Sequence, residues 1–211
     1  MSGRGWPNGL ALTIVILLFG ANRSVAANAD MIREFRHVCV ASRSLKELKA
    51  ALAKDGWKAF ASLAQTHLER EIKAVTPILK AQGLSSYYTI YGWDAGRRHL
   101  ELAVSETKKP VSGDHRLIGC SIYNFTTTTP VDSATLNRFA PTTLGKRSMI
   151  GDVQFEKWDN AFGEGSGMRA VFVPVTSPIS AQLGFTGMML GTHFLDGISK
   201  PPKLRLSPSA Q

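Results

Sequence analysis

Four carboxylates crowd one short stretch late in the chain: Asp152, Glu156, Asp159 and Glu164. Acids gathered in this way can divide general acid and general base work between them, or hold a cation. Strand alternation would set Asp152 and Glu156 on one face, which is also the pattern of a solvated strand. A second group is aromatic and basic. Tyr87, Tyr91 and Trp93 alternate along one predicted strand, and Arg97, Arg98 and His99 follow across a turn. Such a face could hold a sugar or an apolar ligand, although aromatic residues favour half-buried strands whatever their function.

Other apparent motifs fail on spacing. Gly145-Lys146-Arg147-Ser148 lacks the Lys-Ser or Lys-Thr pair of a phosphate-binding loop, and Ala140 stands where its first glycine is needed. Ser166 is not a nucleophile elbow, because Glu164 replaces the first glycine and a loop between strands is the wrong context. His67 and Glu71 share a helix face at i, i+4, yet no third ligand is assignable, and such a histidine reads as a packing residue. No cofactor and no metal site is read from the sequence.

The elements that must position these residues change character near Gly83. Before it, Met31, Phe35, Val38 and Cys39 recur at helical spacing, and Ser44-x-x-Glu47 opens a second helix as a capping box. Phe60, Leu63, Ala64, His67, Leu68, Glu71, Ile72 and Val75 form a third helical stripe that Pro77 should end or kink. After Gly83, strands are predicted at 87–93, 100–105, 116–125, 153–158, 168–175 and 183–195, with a short helix capped by Asp132. The expectation is an α+β domain: an N-terminal three-helix segment packed on a mainly antiparallel sheet of about six strands, with one short inserted helix.

Residues 1–29 read as a cleavable signal peptide. Arg4 precedes the apolar run Leu10 to Phe19, which is shorter than the ~20 residues of a membrane span, and Ala27-Asn28-Ala29 fits a small-x-small cleavage site. Residues 30–197 then form a single domain with no membrane span, followed by a disordered basic tail over 198–211. The leader holds Arg4 and Arg23 and no acid, so +7 of the chain's net charge of +9 stays with the mature protein. That surplus favours encounter with an anionic envelope component. Nucleic acid is not expected as a partner outside the cytoplasm, and no helix carries a basic stripe.

Cys39 and Cys120 are the chain's only cysteines. An even pair in an exported domain reads as one disulfide, with two buried free thiols as the alternative. Closing so long a loop contributes at most about 4.5 kcal/mol in the chain-entropy account.

Phe35-Arg36-His37-Val38-Cys39, then Leu45 to Gly56-Trp57, with the later Gly119-Cys120, resembles small exported alphaproteobacterial proteins of unknown function. The resemblance implies a periplasmic location and a Cys39 to Cys120 pair, and it carries no activity. The functional expectation is an exported, periplasmic or secreted, non-catalytic protein. It would bind a ligand, a polymer or another exported protein through its sheet face, by way of Tyr87, Tyr91, Trp93, Arg97, Arg98 and His99. The alternative is a small exported hydrolase using the carboxylates of the 152–164 hairpin, with His99 or His115.

Overall fold

The structure, a computed structural model, describes residues 28–93, 100–108, 116–140 and 144–196. The expected leader up to residue 27, the turn at 94–97 and the tail over 198–211 lie outside the described residues. Residues 28–34 are α-helical and pass directly into a π-helical turn, Phe35–Val40; together they are α1. Its stripe of Met31, Phe35, Val38 and Cys39 is fully buried.

The next helix, α2 (Leu45–Lys54), begins where its sequence says it should. Ser44 stays extended and its Oγ accepts the Glu47 backbone N–H at 3.2 Å, while the Glu47 carboxylate takes the Arg43 backbone N–H at 2.7 Å. Two otherwise unpaired donors at the helix entrance are thereby satisfied. The third stripe folds differently from its prediction. Trp57–Ala59 becomes a short strand, β1; Leu63–Gln65 is a 3-10 turn; only Glu69–Ala81 is helix, α3. Pro77 lies inside α3 without ending it. A proline at this position leaves the Lys73 carbonyl without its helical partner, and both Lys73 and Pro77 are exposed, so water can take that place.

Seven longer strands complete a single antiparallel sheet: β2 (Ser85–Trp93), β3 (Leu100–Lys108), β4 (Arg116–Asn124), β5 (Lys146–Ile150), β6 (Val153–Asp159), β7 (Gly167–Val173) and β8 (Gly187–Leu195). Their order is β1-β2-β3-β4-β8-β7-β6-β5. Two four-stranded meanders thus meet where β4 pairs with β8, from Leu117 opposite Leu195 to Asn124 opposite Met188. One residue before Met188, Gly187 has φ +99°, and a Cβ there would fall 2.1 Å from the Asn124 carbonyl oxygen, so only glycine lets β8 start beside β4. Two short helices, α4 (Ser133–Asn137) and α5 (Ser180–Leu183), lie in the connections. As expected, Asp132 caps α4, with Oδ1 accepting the Thr135 backbone N–H at 2.9 Å.

Strand alternation gives the sheet two buried faces. Leu102, Val104, Ile118, Cys120, Ile122, Leu190 and Phe194 join α1, α2 and Leu136 of α4 in one core, the α1 face. Ala103, Tyr123, Val171, Val173 and Met189 join Leu68, Ile72 of α3 and Phe185 in the other, the α3 face. The expected three-helix segment on a sheet of about six strands is therefore corrected. Eight strands form the sheet, β1 separates α2 from α3, and the helices are divided between the faces. The physical reasons are specific. β1 has three residues, too few for alternation to register, and every residue of β5 is exposed, so it has no apolar pattern. Periodicity marks which side of a helix is buried but not which sheet face covers it.

The Cys39–Cys120 disulfide is present, tying α1 to β4 within the α1 core across a Cα separation of 5.4 Å. Among the described residues no helix is long and apolar enough to cross a membrane.

Candidate functional site

β3 is buried on both sides from Leu100 to Val104, and Glu101 sits within that run, 2 % exposed. A carboxylate taken out of water is costly unless hydrogen bonds replace its hydration. The segment ahead of α3 supplies them. Ser62 caps the 3-10 turn by accepting the Ala64 backbone N–H, and the Thr66 hydroxyl donates to the Leu63 carbonyl at 2.8 Å. This turn delivers His67 onto the α3 face. Its backbone N–H reaches both Glu101 oxygens, at 3.0 and 3.2 Å, and its ring Nδ1 lies 2.6 Å from Glu101 Oε1.

The carboxylate can only accept, so Nδ1 carries a proton and Nε2 is the nitrogen left for another partner. The ring is positioned further by Phe125, with centroids 4.7 Å apart, and Phe125 in turn stacks on Tyr123. Although its anchor is buried, the His67 side chain is 64 % exposed.

Two solvent-open clefts meet at this histidine. The larger, about 510 Å³, is lined by Lys58, Phe60, Gln65, Trp93 and Glu101 as well as His67. Its floor depends on Gly92, opposite Glu101 in the β2–β3 register, because a Cβ there would fall 2.6 Å from the Phe60 ring. The smaller, about 300 Å³, has Arg70, Phe125, Gly184 and Phe185 in its wall. Beneath it Glu71, in the first turn of α3, accepts a hydrogen bond from the Tyr123 hydroxyl at 3.0 Å. Burial pushes the Glu71 carboxyl up to about 7, against the opposing pull of Tyr123 and the Arg169 guanidinium. The same burial holds the Tyr123 phenol well above its ordinary range.

Of the aromatic strand residues singled out by sequence, Trp93 borders the larger cleft at the end of β2, but its indole stacks on Trp57 at 5.3 Å and packs against the α1 core. Tyr91 packs against the α1 core, and Tyr87 is 65 % exposed on the same strand. Arg97, Arg98, His99 and His115 lie outside the described residues. The four acids of the hairpin have separate surroundings. Asp152 accepts the Ser177 hydroxyl at 2.6 Å. Glu156, 3 % exposed, accepts the Ser133 hydroxyl at 2.6 Å and lies 3.5 Å from Arg147, fastening α4 and β5 to β6. Asp159 pairs with Lys157 at 2.7 Å on the surface, and the Lys157 ammonium holds its carboxyl below the usual range. Glu164 is exposed in the β6–β7 turn. Among the described residues, no hydrogen bond or ion pair joins two of these acids.

The i, i+4 spacing of His67 and Glu71 does not place them on a common partner, since His67 precedes α3 and turns to Glu101 while Glu71 turns to Tyr123. Among the described residues no three His, Cys, Asp or Glu side chains converge as metal ligands. Ser166 is buried, with its hydroxyl donating to the Gly163 carbonyl at 2.6 Å. Sequence reasoning missed Glu101, and the available signal was a lone acid inside an apolar strand, Leu100-Glu101-Leu102.

No family model matches the chain, and neither a curated protein nor a solved structure matches it.

Proposed function

We propose that this is an exported, non-catalytic binding protein whose ligand occupies the cleft around His67. The observation that carries the reading is a histidine fixed at one ring nitrogen by a buried carboxylate and exposed beside a ~510 Å³ recess walled by Phe60. Ligand sites combine concavity and apolar walls with a few oriented polar groups, and this recess has all three. Export is supported by the leader-like first 29 residues and by the disulfide, which persists in oxidising compartments. A hydrolase drawing on the 152–164 acids has less support, because Asp152, Glu156 and Asp159 are each engaged with a different neighbour.

Intrinsic fluorescence tests the reading, because Trp93 follows Gly92 at the end of β2 and borders the cleft. Titration with a panel of sugars, sugar acids and amino acids is expected to yield at least one compound that changes the emission of wild type but not of Trp93→Phe. Gly92→Ala, which displaces the Phe60 ring, should weaken that compound at least several-fold. A panel that leaves emission unchanged, or a response untouched by Gly92→Ala, would count against the cleft.

A further inference from the structure

The smaller cleft, about 300 Å³, is built where three segments meet beside the start of α3. His67 and Arg70 come from the turn ahead of α3 and its first turn, Phe125 follows β4, and Ser180, Phe185 and Thr186 belong to α5 and its connection into β8. Gly184 ends α5 with φ +81°, and a Cβ there would fall 2.6 Å from the Glu71 backbone nitrogen, so only glycine lets this connection press against α3. Among the described residues, no acid lines the cleft and Arg70 has no ion pair. The acids beside it in sequence are engaged elsewhere, Glu69 with Lys73 at 2.6 Å and Glu71 with the Tyr123 hydroxyl. The Ser180 and Thr186 hydroxyls likewise have no hydrogen-bond partner among the described residues. A guanidinium without a counter-charge and two uncommitted hydroxyls therefore line one concave surface, together with the rings of Phe125 and Phe185.

We infer that the smaller cleft binds a phosphate monoester of a small ring compound. A carboxylate offers two coplanar oxygens, and the guanidinium fork takes both in bidentate pairing, which leaves the two hydroxyls without a role. A phosphoryl group carries three strong acceptor oxygens and close to two negative charges, enough to engage Arg70, Ser180 and Thr186 together. Four oxygens of water size, at about 30 Å³ each, fill less than half of the ~300 Å³ cleft. The remaining space takes the ester group, for which the Phe125 and Phe185 rings are the apolar wall. Lys58, Gly92 and Trp93 border the other cleft, so the site stands apart from any ligand in the larger recess.

Isothermal titration calorimetry of the purified protein tests this with three probes: phenyl phosphate, benzoate with the same ring and a planar anion, and inorganic phosphate with no ring. Phenyl phosphate is expected to bind about tenfold more tightly than either of the others. Arg70→Ala should raise its Kd about tenfold, and Ser180→Ala and Thr186→Val several-fold each. Arg70 is exposed, so circular dichroism of Arg70→Ala should show the fold unchanged. Gly92→Ala, which reshapes the larger recess, should leave phenyl phosphate binding unaltered. Benzoate binding as tightly as phenyl phosphate would overturn the phosphoryl assignment, and inorganic phosphate binding as tightly would overturn the ester. No binding of phenyl phosphate at millimolar concentration, or a Kd indifferent to Arg70→Ala, would overturn the site. The larger recess answers separately to the fluorescence panel, so either site can fail alone.

Discussion

On the α1 face, alternate residues of β3, β4 and β8 are aliphatic, aromatic or the disulfide cysteine, and three helical elements cover them. On the α3 face the same strands place Glu101 and Tyr123 among smaller apolar residues, beneath α3, the short α5 and the turn ahead of α3. One sheet therefore has a dry, covalently stapled side and a side that carries buried polar groups open at their rims. A buried acid holds its place only when another element supplies donors. On the α3 face those donors come from short, solvent-edged segments, and that is where concave surface and oriented polar atoms coincide. Glu156 sharpens the contrast. It is as buried as Glu101, but a serine and an arginine close it off, so it fastens elements together.

The largest effect should come from the stapled side. Replacing Cys39 and Cys120 together with alanine is expected to lower unfolding free energy by about 2–5 kcal/mol in denaturant titrations. On non-reducing gels the variant should run more slowly than wild type. Binding in the clefts should persist below the new melting point, and its loss in folded protein would mean that the two faces are not separable.

A pH-dependent effect of nearly that size belongs to the other face. Folded protein retains the Glu71 proton to about pH 7, whereas an ordinary glutamate releases it near 4.5, so the folded state binds more protons between those values. Stability from this group is present below pH 4.5 and lost as pH rises through 7, with a limit of about 3 kcal/mol. Glu71→Gln should flatten that part of the stability profile, and an unchanged slope would remove Glu71 as its source.

Ser133→Ala takes one hydrogen bond from Glu156 and should cost about 1 kcal/mol in thermal melts, with ligand affinity unchanged. The smallest effect is expected at Tyr87. Exposed and outside both clefts, it should tolerate Tyr87→Ser within ~0.5 kcal/mol and with unaltered binding. A several-fold loss of affinity there would extend the site along β2 as the aromatic pattern first suggested.

Local features were legible in the residues themselves. Ser44 and Glu47 specify the start of α2, Asp132 caps α4, and the strands that fill the sheet's centre carry enough β-branched and apolar residues to be read directly. The two cysteines pointed to one bridge because a lone pair in an exported domain has one internal partner each. These are short-range or counting properties, and each needs no knowledge of what lies opposite.

What only the tertiary structure decided is which elements face each other. Nothing in Glu101's neighbours reveals that His67, 34 positions earlier, will cover it, because that meeting depends on β1, a strand too short to show a pattern, and on the turn that follows it. Nor does an apolar stripe say which side of a sheet it will bury, so α3 could be read as a third member of a bundle until the β2–β3–β4–β8 pairing set it on the opposite face from α1 and α2. The crowd of acids at 152–164 shows the converse. Proximity in sequence suggested a shared site, but pleating and separate partners sent each carboxylate to a different neighbour, because a side chain's surroundings are set by the surfaces that pack on it.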